Sequence, residues 1–116
     1  MNYTSLDEDF LKRAIDCVHR HLDDPDFNQQ QFISELNTTR STSLRKLKAL
    51  TGLSFPAFVS NIRMKAACQI MDEKRGVKIS EVAYAVGYND PRYFTATFKK
   101  EIGMSPMEYM EKFSVK

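Results

Sequence analysis

The side chains in this sequence best placed for chemistry are cationic and lie on helical faces. They can neutralise acidic partners rather than make or break bonds. Arg40, Arg45, Lys46 and Lys48 surround a stripe marked by Leu47 and Leu50. Arg92, Lys99 and Lys100 stand off a second stripe of Phe94, Phe98 and Ile102. Catalysis is not expected, because the chain has no GxSxG, no Walker A and no HExxH, and only two histidines. Cys17 and Cys68 sit in helical patterns among apolar neighbours, outside any Cys-x-x-Cys, and read as small core residues. His19 and His21 are two apart, so they point in different directions, unlike the three- or four-apart pair of a helix-borne zinc site. No metal and no cofactor is expected.

Net charge is only +2, but its distribution is uneven. Over residues 1–36, Lys12, Arg13 and Arg20 oppose Asp7, Glu8, Asp9, Asp16, Asp23, Asp24, Asp26 and Glu35, which leaves minus five; the remainder carries plus seven. From Arg40 to Arg75 eight basic residues face only Asp72 and Glu73. A lone basic helix reads as a solvated face. Here the charge falls on repeated helical units, which favours a nucleic-acid partner.

The elements that must position these groups are clearest from Lys78 to Pro106. Val82, Ala83 and Val86 recur at helical spacing behind Ser80, which is taken as the N-cap. Gly87 follows, where a left-handed residue ends one helix and aims the next, and Asp90-Pro91 supplies a cap and a first helical position. Phe94, Phe98 and Ile102 form the buried face of the second helix, with Arg92, Tyr93, Ala96, Lys99 and Lys100 elsewhere. Two helices joined by about four residues, with a glycine in the turn, make a helix-turn-helix, whose second helix can enter a DNA major groove.

The same design occurs about fifty residues earlier. Asn28 with Gln31 forms a capping box for a helix carrying Phe32, Ile33 and Leu36, which ends near Asn37. Thr39 caps the next helix and Gly52 stops it. Each copy closes on a glycine, a serine cap and a proline that opens a further helix, at Gly52-Leu53-Ser54-Phe55-Pro56 and Gly103-Met104-Ser105-Pro106.

These residues resemble the DNA-binding domain of AraC/XylS-type transcription regulators. Ile79, Val82, Ala83, Val86, Gly87, Tyr88, Tyr93, Phe94, Phe98, Lys99, Gly103, Pro106 and Tyr109 sit where that family's signature runs. The likeness extends back through Ala67, Ala66, Arg63, Gly52, Leu47 and Arg45, covering residues 27–113. The segments LDDPDF, KALTG and EVAYAVGYNDPRYF look most like output domains of hybrid two-component regulators from Bacteroides-like bacteria.

The resemblance implies sequence-specific binding of double-stranded DNA, with two recognition helices in successive major grooves. It marks Ser41, Leu44 and Arg45 for base contact on the first helix, and Pro91, Arg92 and Ala96 on the second. Arg45 and Arg92 have the reach for a guanine edge, and Leu44 can pack on a thymine methyl. Ala96 stands where family members often have arginine, so fewer base contacts are expected from the second helix. Thr39, Arg40, Lys46, Lys48, Tyr93, Thr95, Lys99 and Lys100 are the expected backbone contacts. Lys46, Lys48, Arg63 and Lys65 are each read as phosphate contacts or solvated cations. Two positions depart from the family: Ser43 replaces a buried leucine, and Thr38 a frequent methionine. Ser43 is expected to bond back to the main chain or be partly exposed, and Ser43→Leu to stabilise the domain.

The whole chain of 116 residues is long enough for a modest core. Its fold class is all-α, with about seven helices: two helix-turn-helix subdomains joined by a long linker helix. The expected segments are an N-terminal packing helix and turn over 1–26, the first helix-turn-helix over 27–53, the linker helix over 54–76, and the second unit with a C-terminal helix over 77–116. Ser5 with Glu8 is taken as the capping box of the first helix, which runs to Leu22 before Pro25 forbids continuation. Nineteen residues of linker helix give a rod of roughly 28 Å, near the 34 Å repeat of the major groove. The acidic start and the lack of a long apolar run place the chain in the cytoplasm, at the nucleoid, with no membrane contact. Expected partners are double-stranded DNA, RNA polymerase, and an upstream sensory or dimerisation domain of a longer regulator. The rival class is a small helical protein–protein interaction module without DNA sequence specificity.

Overall fold

The computed structural model describes residues 4–113, so the outermost residues of the expected first and last segments lie outside it. The described residues form seven helices and no strand: α1 (Ser5–Arg20), α2 (Gln29–Glu35), α3 (Arg40–Thr51), α4 (Phe55–Glu73), α5 (Ile79–Ala85), α6 (Pro91–Ile102) and α7 (Pro106–Phe113). They pack as two units. The first takes in α1 and residues 26–62, and the second takes in Leu22–Pro25 and the residues from Arg63 onward.

The repeat is explicit in the backbone. α2 and α5 are each seven residues long, α3 and α6 each twelve. The residue after each short helix's C-cap is left-handed, Asn37 at φ 54° and Gly87 at φ 88°. Asparagine is among the few side chains that enter this region readily, so the first copy turns without a glycine. Gly52 and Gly103 then end α3 and α6 with φ of 76° and 92°. In both copies a serine follows that caps the next helix, Ser54 Oγ accepting from Ala57 N and Ser105 Oγ from Glu108 N.

In the first unit α1 packs on α2 and α3. Phe10, Ala14, Cys17 and Val18 bury one side of α1, and Phe32, Leu36 and Leu47 complete the centre. The Phe55 and Phe58 rings tilt against Phe32 at 5.0 and 6.2 Å. In the second unit Met64, Ala67 and Met71 bury against Val82, Ala83, Val86, Phe94 and Phe98. Edge contacts run from Tyr88 to Phe94 at 5.6 Å and from Phe98 to Tyr109 at 5.7 Å. The Tyr109 hydroxyl donates to Asp72 at 3.1 Å, which ties α7 to α4.

Several expectations change. α1 is capped by Thr4 with Asp7, not by Ser5 with Glu8, and ends at Arg20. Both pairs have the same three-residue spacing, and the helix takes the earlier start. α5 starts at Ile79 with Lys78 as N-cap and no side-chain cap bond, so Ser80 lies within the helix. Arg63 is only 8 % exposed and donates to the Asp24 carbonyl, so it is not a solvated cation. Ser43 is fully buried, and its Oγ has no hydrogen-bond partner. It neither bonds back to the main chain nor reaches water.

Candidate nucleic-acid interface

The twelve residues of α3 include no carboxylate, and their two fully buried positions, Ser43 and Leu47, are four apart. That spacing turns the opposite side outward. Thr39 Oγ1 accepts from Thr42 N at 3.1 Å and fixes the entry to the helix. Arg40, Ser41 and Arg45 are exposed, while Leu44 is half-buried. Lys46 is half-buried, its Nζ 5.6 Å from the centre of the Phe10 ring. Lys48 is exposed and donates to the Gly52 carbonyl at 3.0 Å, a cation set against the negative end of its own helix.

α6 follows the same plan. Phe94 and Phe98 are fully buried, and Ile102 is half-buried on the same stripe. Asp90 accepts from Arg92 N at 2.9 Å, and Pro91 occupies the first turn. The Arg92 side chain is 94 % exposed and folds back to Asp90, Nε to Oδ1 at 3.4 Å. Such an exposed pair contributes little, so the guanidinium can leave it for a stronger partner. The backbone N–H of Arg92, followed by its side chain, holds the Asp90 carboxyl below its ordinary value. Tyr93 is 66 % exposed, with its ring 5.6 Å from Tyr88. Ala96, Lys99 and Lys100 are exposed, and Pro91 and Thr95 are half-buried.

Each expected contact residue therefore lies on α3 or α6 or caps one of them, and each is exposed or half-buried. The groups cluster separately within their own units. Thr39 and Asp90 each take a backbone N–H at the start of their helix, and Pro91 has none to offer. Sequence reasoning missed the role of Arg63. Its guanidinium donates to the Asp24 carbonyl at 2.7 Å and stands 5.9 Å from the centre of the Tyr88 ring, so it braces the turn that precedes α6. No local signal marks this, because the acceptor lies 39 residues away.

Residues 33–112 match the model of a helix-turn-helix domain, and the chain belongs to this family in its AraC-type form. It is 32 % identical over 111 residues to histidine kinase P4 of Formosa agariphila, a match that covers 96 % of this chain and 8 % of that kinase. The C-terminal domain of AraT, a response regulator from Geobacillus stearothermophilus, is 28 % identical with a TM-score of 0.82, over 92 % of this chain and 88 % of that one. The DNA-binding domain of AdpA, solved in complex with a target DNA, shares the fold at a TM-score of 0.75 and 21 % identity, over 90 % of this chain and 89 % of that one. The chain thus spans a small fraction of the kinase and most of the two solved domains. It is an AraC-type DNA-binding domain, of the kind carried by transcription regulators.

Proposed function

We propose that this domain reads a double-stranded operator with α3 and α6 in successive major grooves, as the output element of a hybrid two-component regulator. The observation that carries the reading is the repeat itself: two twelve-residue helices, each capped at the start, closed by a left-handed glycine and presenting an exposed arginine in its first half, Arg45 in α3 and Arg92 in α6. Ser41, Leu44 and Arg45 face bases from α3, and Arg92 and Ala96 face them from α6. Arg45 and Arg92 donate to guanine edges, while Leu44 and Ala96 offer only apolar contact. Thr39, Arg40, Lys46, Lys48, Tyr93, Thr95, Lys99 and Lys100 meet the sugar–phosphate backbone and set register. The match to 8 % of a histidine kinase supports an upstream sensory portion in the intact regulator. DNA as target places the protein at the nucleoid in the cytoplasm, where RNA polymerase is the natural partner for its output.

Selection of bound sequences from a random duplex pool tests this, repeated with Arg45→Ala and Arg92→Ala. The wild type should enrich a defined motif, and each variant should relax preference at one position, at a cost of about 1–3 kcal/mol. Affinity should fall steeply with salt. Two variants that retain the full wild-type preference would remove the base-reading assignments. Binding that ignores both salt and sequence would point instead to a protein–protein module.

A further inference from the structure

We infer that Cys17, His21 and Glu35 form a binding site for a zinc-type divalent cation, clamped between α1 and the end of α2. Cys17 and His21 are four residues apart, one turn of helix, and therefore share a face. Weighing the two histidines only against each other overlooks this pair. Glu35, the last residue of α2, closes the group from across the unit. Its Oε2 lies 3.5 Å from Cys17 Sγ and 2.5 Å from His21 Nε2, and one donor atom from each residue lies within 4.8 Å of the others.

Bonds of about 2.0–2.3 Å at tetrahedral angles place donor atoms roughly 3.3–3.7 Å apart. The Cys17–Glu35 spacing already fits. The His21–Glu35 pair must open by about 1 Å, and Glu35 is the last residue of α2, with 32 % of its side chain exposed. Thiolate, imidazole and carboxylate together form a donor set for zinc rather than for magnesium or calcium, which favour oxygen alone. Three protein donors leave the fourth position to water.

The surroundings orient these donors. Arg20 donates to Glu35 Oε1 at 3.3 Å, which leaves Oε2 for the cation. The Phe27 ring stacks on His21 at 4.6 Å and 8°, fixing the plane of the imidazole. On loading, the S–H bond of Cys17 breaks, a sulfur–metal bond forms and the proton passes to solvent, with no change of oxidation state. Burial and the Glu35 charge push the thiol up to about 11, so the cation must be thiophilic enough to displace a firmly held proton.

Cobalt(II) titrated into the chelator-stripped chain provides the test, read by the thiolate-to-cobalt charge-transfer band. The band should rise to a stoichiometric end point, disappear when zinc displaces cobalt, be absent in Cys17→Ser and persist in Cys68→Ser. His21→Gln and Glu35→Gln should each weaken binding by at least about 10–100-fold, the loss that even an outer partner of a metal site causes. If Cys17→Ser fails to fold, a zinc-dependent rise in the melting temperature of the wild type that His21→Gln abolishes would carry the same conclusion. No band at excess cobalt, a band that survives Cys17→Ser, or unchanged affinity in both His21→Gln and Glu35→Gln would overturn the site.

Discussion

A methyl group placed on Gly87 would lie 2.6 Å from Cζ of Arg63 and 2.5 Å from the main-chain oxygen of Leu22. The turn between α5 and α6 is therefore closed against a buried guanidinium and a backbone carbonyl. Gly87 also has φ +88°, so any side chain is strained here before it meets a neighbour. Left-handed strain of about 1–2 kcal/mol adds to the clash, and carbonyl oxygen is not a group that swings aside. Gly87→Ala should destabilise the domain by roughly 2–5 kcal/mol in urea unfolding. A loss under about 0.5 kcal/mol would mean that the turn opens freely.

Arg63 has the charge of a phosphate ligand and the position of a brace. Its bond to the Asp24 carbonyl and its place beside Tyr88 link the Leu22–Pro25 turn to the start of α6. Arg63→Met keeps the aliphatic bulk and removes the donors. Stability should fall by about 1.5–3 kcal/mol, the range for a hydrogen bond from a charged group. The salt slope of DNA binding should stay that of the wild type, whereas losing a phosphate contact would reduce it by about one.

What the sequence disclosed was mostly local. The Asn28–Gln31 box, the Thr39 and Asp90 caps, Pro91, and the stops at Gly52 and Gly103 are each set within three residues of chain, and all appear where the sequence puts them. The outward sides of α3 and α6 were legible because Leu47, Phe94 and Phe98 fix the inward ones. At the start of α1 the pattern was degenerate, since Thr4–Asp7 and Ser5–Glu8 satisfy the same rule. Arg63 and Glu35 could not be read from spacing. Each acts on groups brought near by a chain reversal, and the sequence signals charge without saying which carbonyl or thiol will face it. For the candidate interface, the helices came from periodicity and the base-facing positions only from family resemblance.

Ser43 buries a hydroxyl without a partner at the centre of the first unit. The family's leucine at this position made Ser43→Leu the expected stabilising change. The side chain is 0 % exposed, however, so added carbons must displace neighbours rather than fill open space. Ser43→Ala removes the orphaned group with no increase in volume. It should stabilise the domain by about 1 kcal/mol, at the lower end of the cost of an unsatisfied buried hydroxyl. Thermal melts should rank Ala above Leu, and an alanine variant that melts below the wild type would show that the hydroxyl is bonded in solution.

Asp90 caps the start of α6 with an ionisable group. The backbone N–H of Arg92 and then its side chain lower the carboxyl below its ordinary value of 3.8. A carboxyl lowered on folding adds stability that is present above the unfolded value and fades as pH falls through the folded one. Asp90→Asn keeps a cap acceptor but has no charge to titrate. The wild type should therefore lose part of its melting temperature as pH drops below 3.8, and the asparagine variant should not lose that part. Paired melts from neutral pH down through the carboxylate range read the difference directly. Two curves that fall in parallel would show that the cap works without its charge, and that the side-chain ion pair between Asp90 and Arg92 contributes nothing to the start of α6.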